Sequence, residues 1–279
     1  MITRPTRRVE VSRSLVRDVA PFVALTFTIS WALWAVALVL GGNIADPAVF
    51  ACYVLGALGP SLSAGILRLS GRPGGRQAQW AAAAGWLPAA VLLGAGPAVV
   101  AVTAAPLFEA AAADPGVLLV AVAGAGGLLP YLALHLVAGP LAEEFGWRGY
   151  LQPRLRTRLT PARTAAVLGT LWALWHVPLF LLVGTVQSQM GLFTPVALGF
   201  FVVMLPLSVG YWFVSERLRG GVPAAVLMHM SGNIALTLIF AAPSVAVGAC
   251  YLGAVLVIAA LLLRFGPAPA SARRATMAG

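Results

Sequence analysis

Residues 193–215 read FTPVALGFFVVMLPLSVGYWFVS, uninterrupted by any Asp, Glu, Lys or Arg. At about 1.5 Å of rise per residue, a helix of this length covers the roughly 30 Å of hydrocarbon in a bilayer. Working outward, similar runs recur near 20–42, 47–67, 80–105, 117–150, 164–184, 222–242 and 244–264. The composition agrees: 60% of the 279 residues are apolar and 9% are charged, and the mean hydropathy is +0.92, outside the usual range of a soluble domain. The short alternating segments of a membrane β-barrel are missing. The expected fold class is therefore all-α, a polytopic transmembrane helical bundle of about eight spans. Two runs are irregular. Gly94, Gly96 and Pro97 interrupt the third, and the fourth is too long for one crossing unless it bends at Gly139-Pro140 or emerges from the membrane.

Charge placement tests this partition. All eighteen basic residues are arginine. Arg4, Arg7, Arg8, Arg13 and Arg17 precede the first run; Arg68, Arg72 and Arg76 follow the second; Arg148, Arg154, Arg156, Arg158 and Arg163 follow the fourth. Arg217 and Arg219 follow the sixth, and Arg264, Arg273 and Arg274 close the chain. The alternate connections hold no arginine and contain Asp46, Glu109 and Asp114. The positive-inside rule then makes both termini cytoplasmic. The net charge of +10 is spread over loops facing anionic lipid, so it implies membrane lipid as a partner and no nucleic acid.

The chain divides into a basic cytoplasmic tail at 1–19, a single transmembrane domain at 20–264, and a cytoplasmic tail at 265–279 whose Ala, Pro, Ser and Arg content predicts disorder. Arg7-Arg8 resembles a twin-arginine signal, but no small-residue cleavage site follows, so a retained first helix is expected. Cys52 and Cys250 fall within spans and read as small packing residues. The expected location is multi-pass in a bacterial cytoplasmic membrane.

Function must come from polar residues kept inside the spans, where a charge costs about 2.5–3.5 kcal/mol at mid-bilayer. These are Glu143, Glu144 and Arg148 on one run, His176 on the next, and His229 with Asn233 on the seventh. His135 precedes Glu143 on the fourth run. Glu144 and Arg148 stand at i and i+4, close enough to pair, whereas Glu143 points about 100° away. Glu143, beside a second carboxylate in an apolar setting, is placed for general-base work. His229 and Asn233 share a face one turn apart. Counting about 1.5 Å per residue from the nearest cytoplasmic boundary sets these groups roughly 12–20 Å deep, in one layer. Each piece has a plain structural alternative. A Glu/Arg pair and an Asn are frequent interhelical glue, a lone His such as His135 often bonds a backbone carbonyl, and Trp172 and Trp175 read as packing or interface aromatics.

Glu143-Glu144-x-x-x-Arg148, then Trp172-x-x-x-His176, then His229-x-x-x-Asn233, in that order on successive helices, resembles the CPBP (Abi) family of membrane endopeptidases. Its best-known members are the type II CAAX prenyl proteases, with bacterial relatives linked to bacteriocin immunity or maturation. The resemblance covers about 115–240, and Arg148-Gly149-Tyr150-Leu151-Gln152 adds to it. Trp172 stands where the family usually has Phe, and Met230-Ser231 where small or aliphatic residues are common.

The resemblance implies peptide hydrolysis, which needs an activated water and a stabilised oxyanion. Glu143 would activate the water, His176 would help position it, His229 and Asn233 would bind the oxyanion, and Glu144 with Arg148 would lock the geometry. Other intramembrane chemistries lack their signatures: there is no His-Glu-x-x-His, no Gly-x-Ser-Gly, and every Asp lies outside the spans. Family members are often called metalloproteases. If zinc is the cofactor, Glu143, His176 and His229 would supply its ligands; otherwise Glu143 activates water without a metal. The implied partner is a peptide or protein substrate, lipid-modified or not. Two further classes stay open, a non-catalytic immunity or scaffold protein of the same family and a proton-coupled transporter with Glu143 as carrier.

Overall fold

A computed structural model of the chain describes residues 7–72, 83–108, 112–241 and 243–266. Arg4, Arg76, Glu109, Arg273, Arg274 and the tail at 267–279 lie outside the described residues. Among the described residues the secondary structure is helical throughout, apart from an isolated parallel bridge between Asn43 and Val183. The helices are α1 (Arg7–Val39), α2 (Pro47–Ala57), α3 (Gly59–Leu69), α4 (Ala83–Ala104), α5 (Gly116–Gly124), α6 (Leu128–Leu136), α7 (Ala142–Gly146), α8 (Gln152–Arg156), α9 (Pro161–Trp175), α10 (Val186–Met190), α11 (Pro195–Trp212), α12 (Gly221–Ala241) and α13 (Val245–Phe265). Six helices are long and apolar enough to cross a membrane, or up to eight if each of two bent pairs is one span. The chain is a polytopic all-α membrane protein.

Local chemistry sets the helix starts. Asp46 caps α2 by accepting from Ala48 and Val49, at 2.8 and 3.3 Å, and Thr194 caps α11 by accepting from Ala197 at 3.1 Å. Each cap precedes a proline, Pro47 or Pro195, whose missing N–H costs nothing at the first helical position. Thr160-Pro161 repeats the device at α9, and Ser244 caps α13.

The two irregular runs depart from the sequence expectation. α4 continues unbroken through Gly94, Gly96 and Pro97. Gly94 is there for packing: a Cβ would collide with the Ser231 hydroxyl and the Met228 carbonyl of α12, so its absence lets two backbones touch. The fourth run does bend, by 88°, but between α5 and α6 rather than at Gly139-Pro140. Gly126 (φ +85°) and Gly127 (φ +119°) make the corner in conformations that side chains disfavour. Gly139 and Pro140 lie instead in a π-helical turn, Val137–Leu141, within the continuing helix. The first run also reaches further back than expected, because α1 begins at Arg7, inside the basic tail.

Large apolar side chains such as Leu129, Leu198 and Val257 face outward, as they must where lipid is the solvent. The interior is aromatic. Trp175 packs at 4.8 Å from Trp34 and 6.0 Å from Trp147, and Phe22 meets Trp147 at 5.6 Å and Tyr150 at 5.2 Å. Two indole donors are satisfied inside this cluster: Trp175 Nε1 donates to Ser30 Oγ (2.7 Å) and Trp34 Nε1 to the Tyr53 carbonyl (3.1 Å). α7 leans on α3, where a Cβ at Gly146 would overlap the Pro60 carbonyl group. This backbone contact fixes the helix that carries both glutamates.

Candidate active site

α7 is a short α-helical turn between two π-helical turns, Val137–Leu141 and Trp147–Leu151. Pro140 donates no backbone hydrogen bond and Gly139 sits at φ +114°, so the chain widens just before Glu143. Glu143, Glu144 and Arg148 are all buried.

Glu144 and Arg148 form one half of the site. Arg148 Nη1 donates to Glu144 Oε1 at 2.9 Å, with both side chains at 0% exposure. The same oxygen meets His229 Nδ1, from α12, at 2.8 Å. The Arg148 guanidinium lies 3.7 Å from the ring centre of Tyr211 and 4.3 Å from that of Trp172. These two π-faces compensate Nε and Nη2, which have no hydrogen-bond partner. Glu144 is thereby tied through Oε1 to a cation and an imidazole, and its Oε2 is buried without a hydrogen-bond partner.

Glu143 takes the other direction, as the 100° offset requires. Its Oε2 accepts from Trp172 Nε1 at 2.6 Å. Its Oε1 turns toward Gly139, and a Cβ built there would lie 3.5 Å from that oxygen, 3.4 Å from His229 Nε2 and 3.4 Å from Asn233 Nδ2. Four residues on two segments therefore border one space of methyl size.

His176 is brought in less directly. It ends α9, and its Nδ1 meets the Trp172 carbonyl at 2.7 Å, while its ring contacts Trp175 and Phe200. Among the described residues no three of His, Cys, Asp and Glu converge tightly enough to hold a metal ion, so Glu143, His176 and His229 do not fit a zinc site here. His135 takes its plain reading: Nδ1 meets the Tyr131 carbonyl at 2.9 Å and the ring packs on Tyr131.

Sequence reasoning missed three participants. Trp172 binds Glu143 as well as packing, Tyr211 covers Arg148, and Gly139 borders the polar space. The departure from Phe at 172 is the one signal that pointed at the first, since Phe has no N–H to donate.

The profile of the type II CAAX prenyl endopeptidase Rce1-like family matches residues 125–235, from the α5–α6 corner through Asn233. Over this segment the chain is similar to the CAAX protease family. CAAX prenyl protease 2 of Methanococcus maripaludis is 29% identical over 109 residues, which cover 38% of this chain and 39% of the relative. The chain thus spans about two fifths of the length of the curated relative it matches. The matched segment contains Glu143, Glu144, Arg148, Trp172, His176, His229 and Asn233, and leaves α1 to α5 and α13 outside it.

Proposed function

We propose that the chain is an intramembrane endopeptidase in which Glu143 activates a water for attack on a peptide carbonyl. The observation that carries the reading is the convergence of Glu143 Oε1, His229 Nε2 and Asn233 Nδ2 on the space beside Gly139. A water or a carbonyl oxygen has the size of that space. Glu143 Oε1 takes a proton as the water oxygen bonds to the carbonyl carbon. The negative charge that develops on the carbonyl oxygen is met by the Asn233 amide N–H, and by His229 Nε2 when the ring, whose Nδ1–H faces Glu144, carries a second proton. Collapse of the tetrahedral intermediate breaks the C–N bond, and the proton held by Glu143 passes to the leaving amine. Glu144 and Arg148 hold His229 in place, and His176 helps position the water. No step needs a metal ion.

By analogy with CAAX prenyl protease 2, the substrate class is a peptide or protein segment carrying a prenyl group. The test is incubation of the purified full chain, in lipid nanodiscs, with prenylated and unprenylated CAAX-type peptides and with a cell lysate, followed by mass spectrometry of new termini. New termini with the wild type and none with Glu143→Gln support the reading. Identical termini with both proteins, or none with either, overturn it in favour of a non-catalytic protein.

A further inference from the structure

Trp172 touches four of the site's residues, Glu143, Arg148, His176 and His229, and it is not one of those expected to do chemistry. Its indole N–H donates to Glu143 Oε2 at 2.6 Å. Its ring face lies 4.3 Å from the Arg148 guanidinium, its ring centre is 5.6 Å from that of His229, and its own carbonyl meets His176 Nδ1 at 2.7 Å. It is buried at 2% exposure, and it lies on α9 with His176 at that helix's end, whereas Glu143, Arg148 and His229 come from α7, the turn after it and α12.

A carboxylate has two equivalent oxygens and a nearly free terminal torsion, so a general base in an apolar cavity needs something to decide which oxygen faces the substrate. Here a buried donor occupies Oε2 and leaves Oε1 facing Gly139, His229 Nε2 and Asn233 Nδ2. Resting on the reading of Glu143 as the base, we propose that Trp172 is a positioning residue. Its indole N–H selects Oε1 of Glu143 as the proton acceptor, and its ring holds Arg148 so that the two glutamates keep different tasks.

The two functions of the side chain can be separated. Trp172→Phe keeps an aromatic face for Arg148 and removes the N–H. With the base free to rotate, the chemical step slows while peptide binding is untouched, so kcat is expected to fall about ten- to a hundredfold, the worth of one charge-assisted bond, with KM within about twofold. A role in packing alone would lower the melting temperature and leave the kcat of the folded fraction unchanged. Should Trp172→Phe fail to fold, replacement of Trp172 by 3-benzothienylalanine keeps the bicyclic shape and exchanges the N–H for sulfur. The same fall in kcat is expected from it. Wild-type kcat in either folded variant, or a change confined to KM, overturns the proposal. Glu143→Gln, assayed beside them, separates the two readings: if it turns over peptide, the assignment of the base has failed, and if it is dead while the Trp172 variants are fully active, only the positioning role has.

Discussion

His229 Nδ1 stands 2.8 Å from Glu144 Oε1, the oxygen that Arg148 Nη1 also reaches, at 2.9 Å. One carboxylate oxygen thus joins α12 to the turn that follows α7. The two neighbouring glutamates have different partners: Glu144 bridges two nitrogen groups through Oε1, and Glu143 accepts one indole N–H on Oε2.

Removing the cation should therefore cost stability as well as activity. Arg148→Ala leaves Glu144 buried with its main partner gone, a loss of about 3–5 kcal/mol, and the expected outcome is poor expression and a lower melting temperature in detergent. Glu143→Gln is expected to melt like the wild type, because it conserves volume and its amide oxygen still accepts from Trp172 Nε1. Equal melting temperatures for the wild type and Arg148→Ala would show that this pair does not brace the site.

Gly139→Ala tests the space itself. At φ +114° a side chain is strained, by about 1–2 kcal/mol for a backbone conformation of this kind. The added methyl would also sit 3.4–3.5 Å from Glu143 Oε1, His229 Nε2 and Asn233 Nδ2, filling the space proposed for a reacting oxygen. Activity should fall by more than tenfold while the folded protein can still be purified. Wild-type turnover by a folded Gly139→Ala protein would place the reaction elsewhere.

Parts of this arrangement were legible in the sequence for physical reasons. Span-length runs stand out because lipid tolerates no other composition, and Asp46-Pro47 or Thr194-Pro195 marks a helix start by local chemistry alone. The pairing of Glu144 with Arg148 follows from helical spacing within one segment. What stayed hidden depends on how helices rotate against each other. Gly94, Gly126 and Gly139 look alike as letters, yet one permits close helix packing, one turns a corner and one borders the polar space. The N–H of Trp172 meets Glu143 only because α9 presents that edge of the indole, which no spacing rule specifies.

The arginines predict a topology that can be measured. With every one of them assigned to the cytoplasmic side, reporter fusions after Gly42, Asp114 and Ser188 are expected to report the outside, and fusions in the 148–163 segment or at either end the cytosol. A cytosolic signal from any of the first three would overturn the span count.

Metal dependence is the sharpest remaining test of the chemistry. A catalytic zinc takes three protein ligands and a water, and each ligating His is oriented by an acceptor on its other nitrogen. His176 and His229 both have such a partner on Nδ1, the Trp172 carbonyl and Glu144. Yet they do not gather with Glu143 into a three-donor set among the described residues, and Trp172 already occupies one Glu143 oxygen. A glutamate bound to zinc would also be a weaker base, because the metal draws on its negative charge. Activity of the purified protein should therefore survive exhaustive chelation, with metal content by mass spectrometry well below one ion per chain. Near-stoichiometric zinc, with activity lost on chelation and restored by adding zinc back, would overturn the metal-free reading and make Glu143, His176 and His229 ligands.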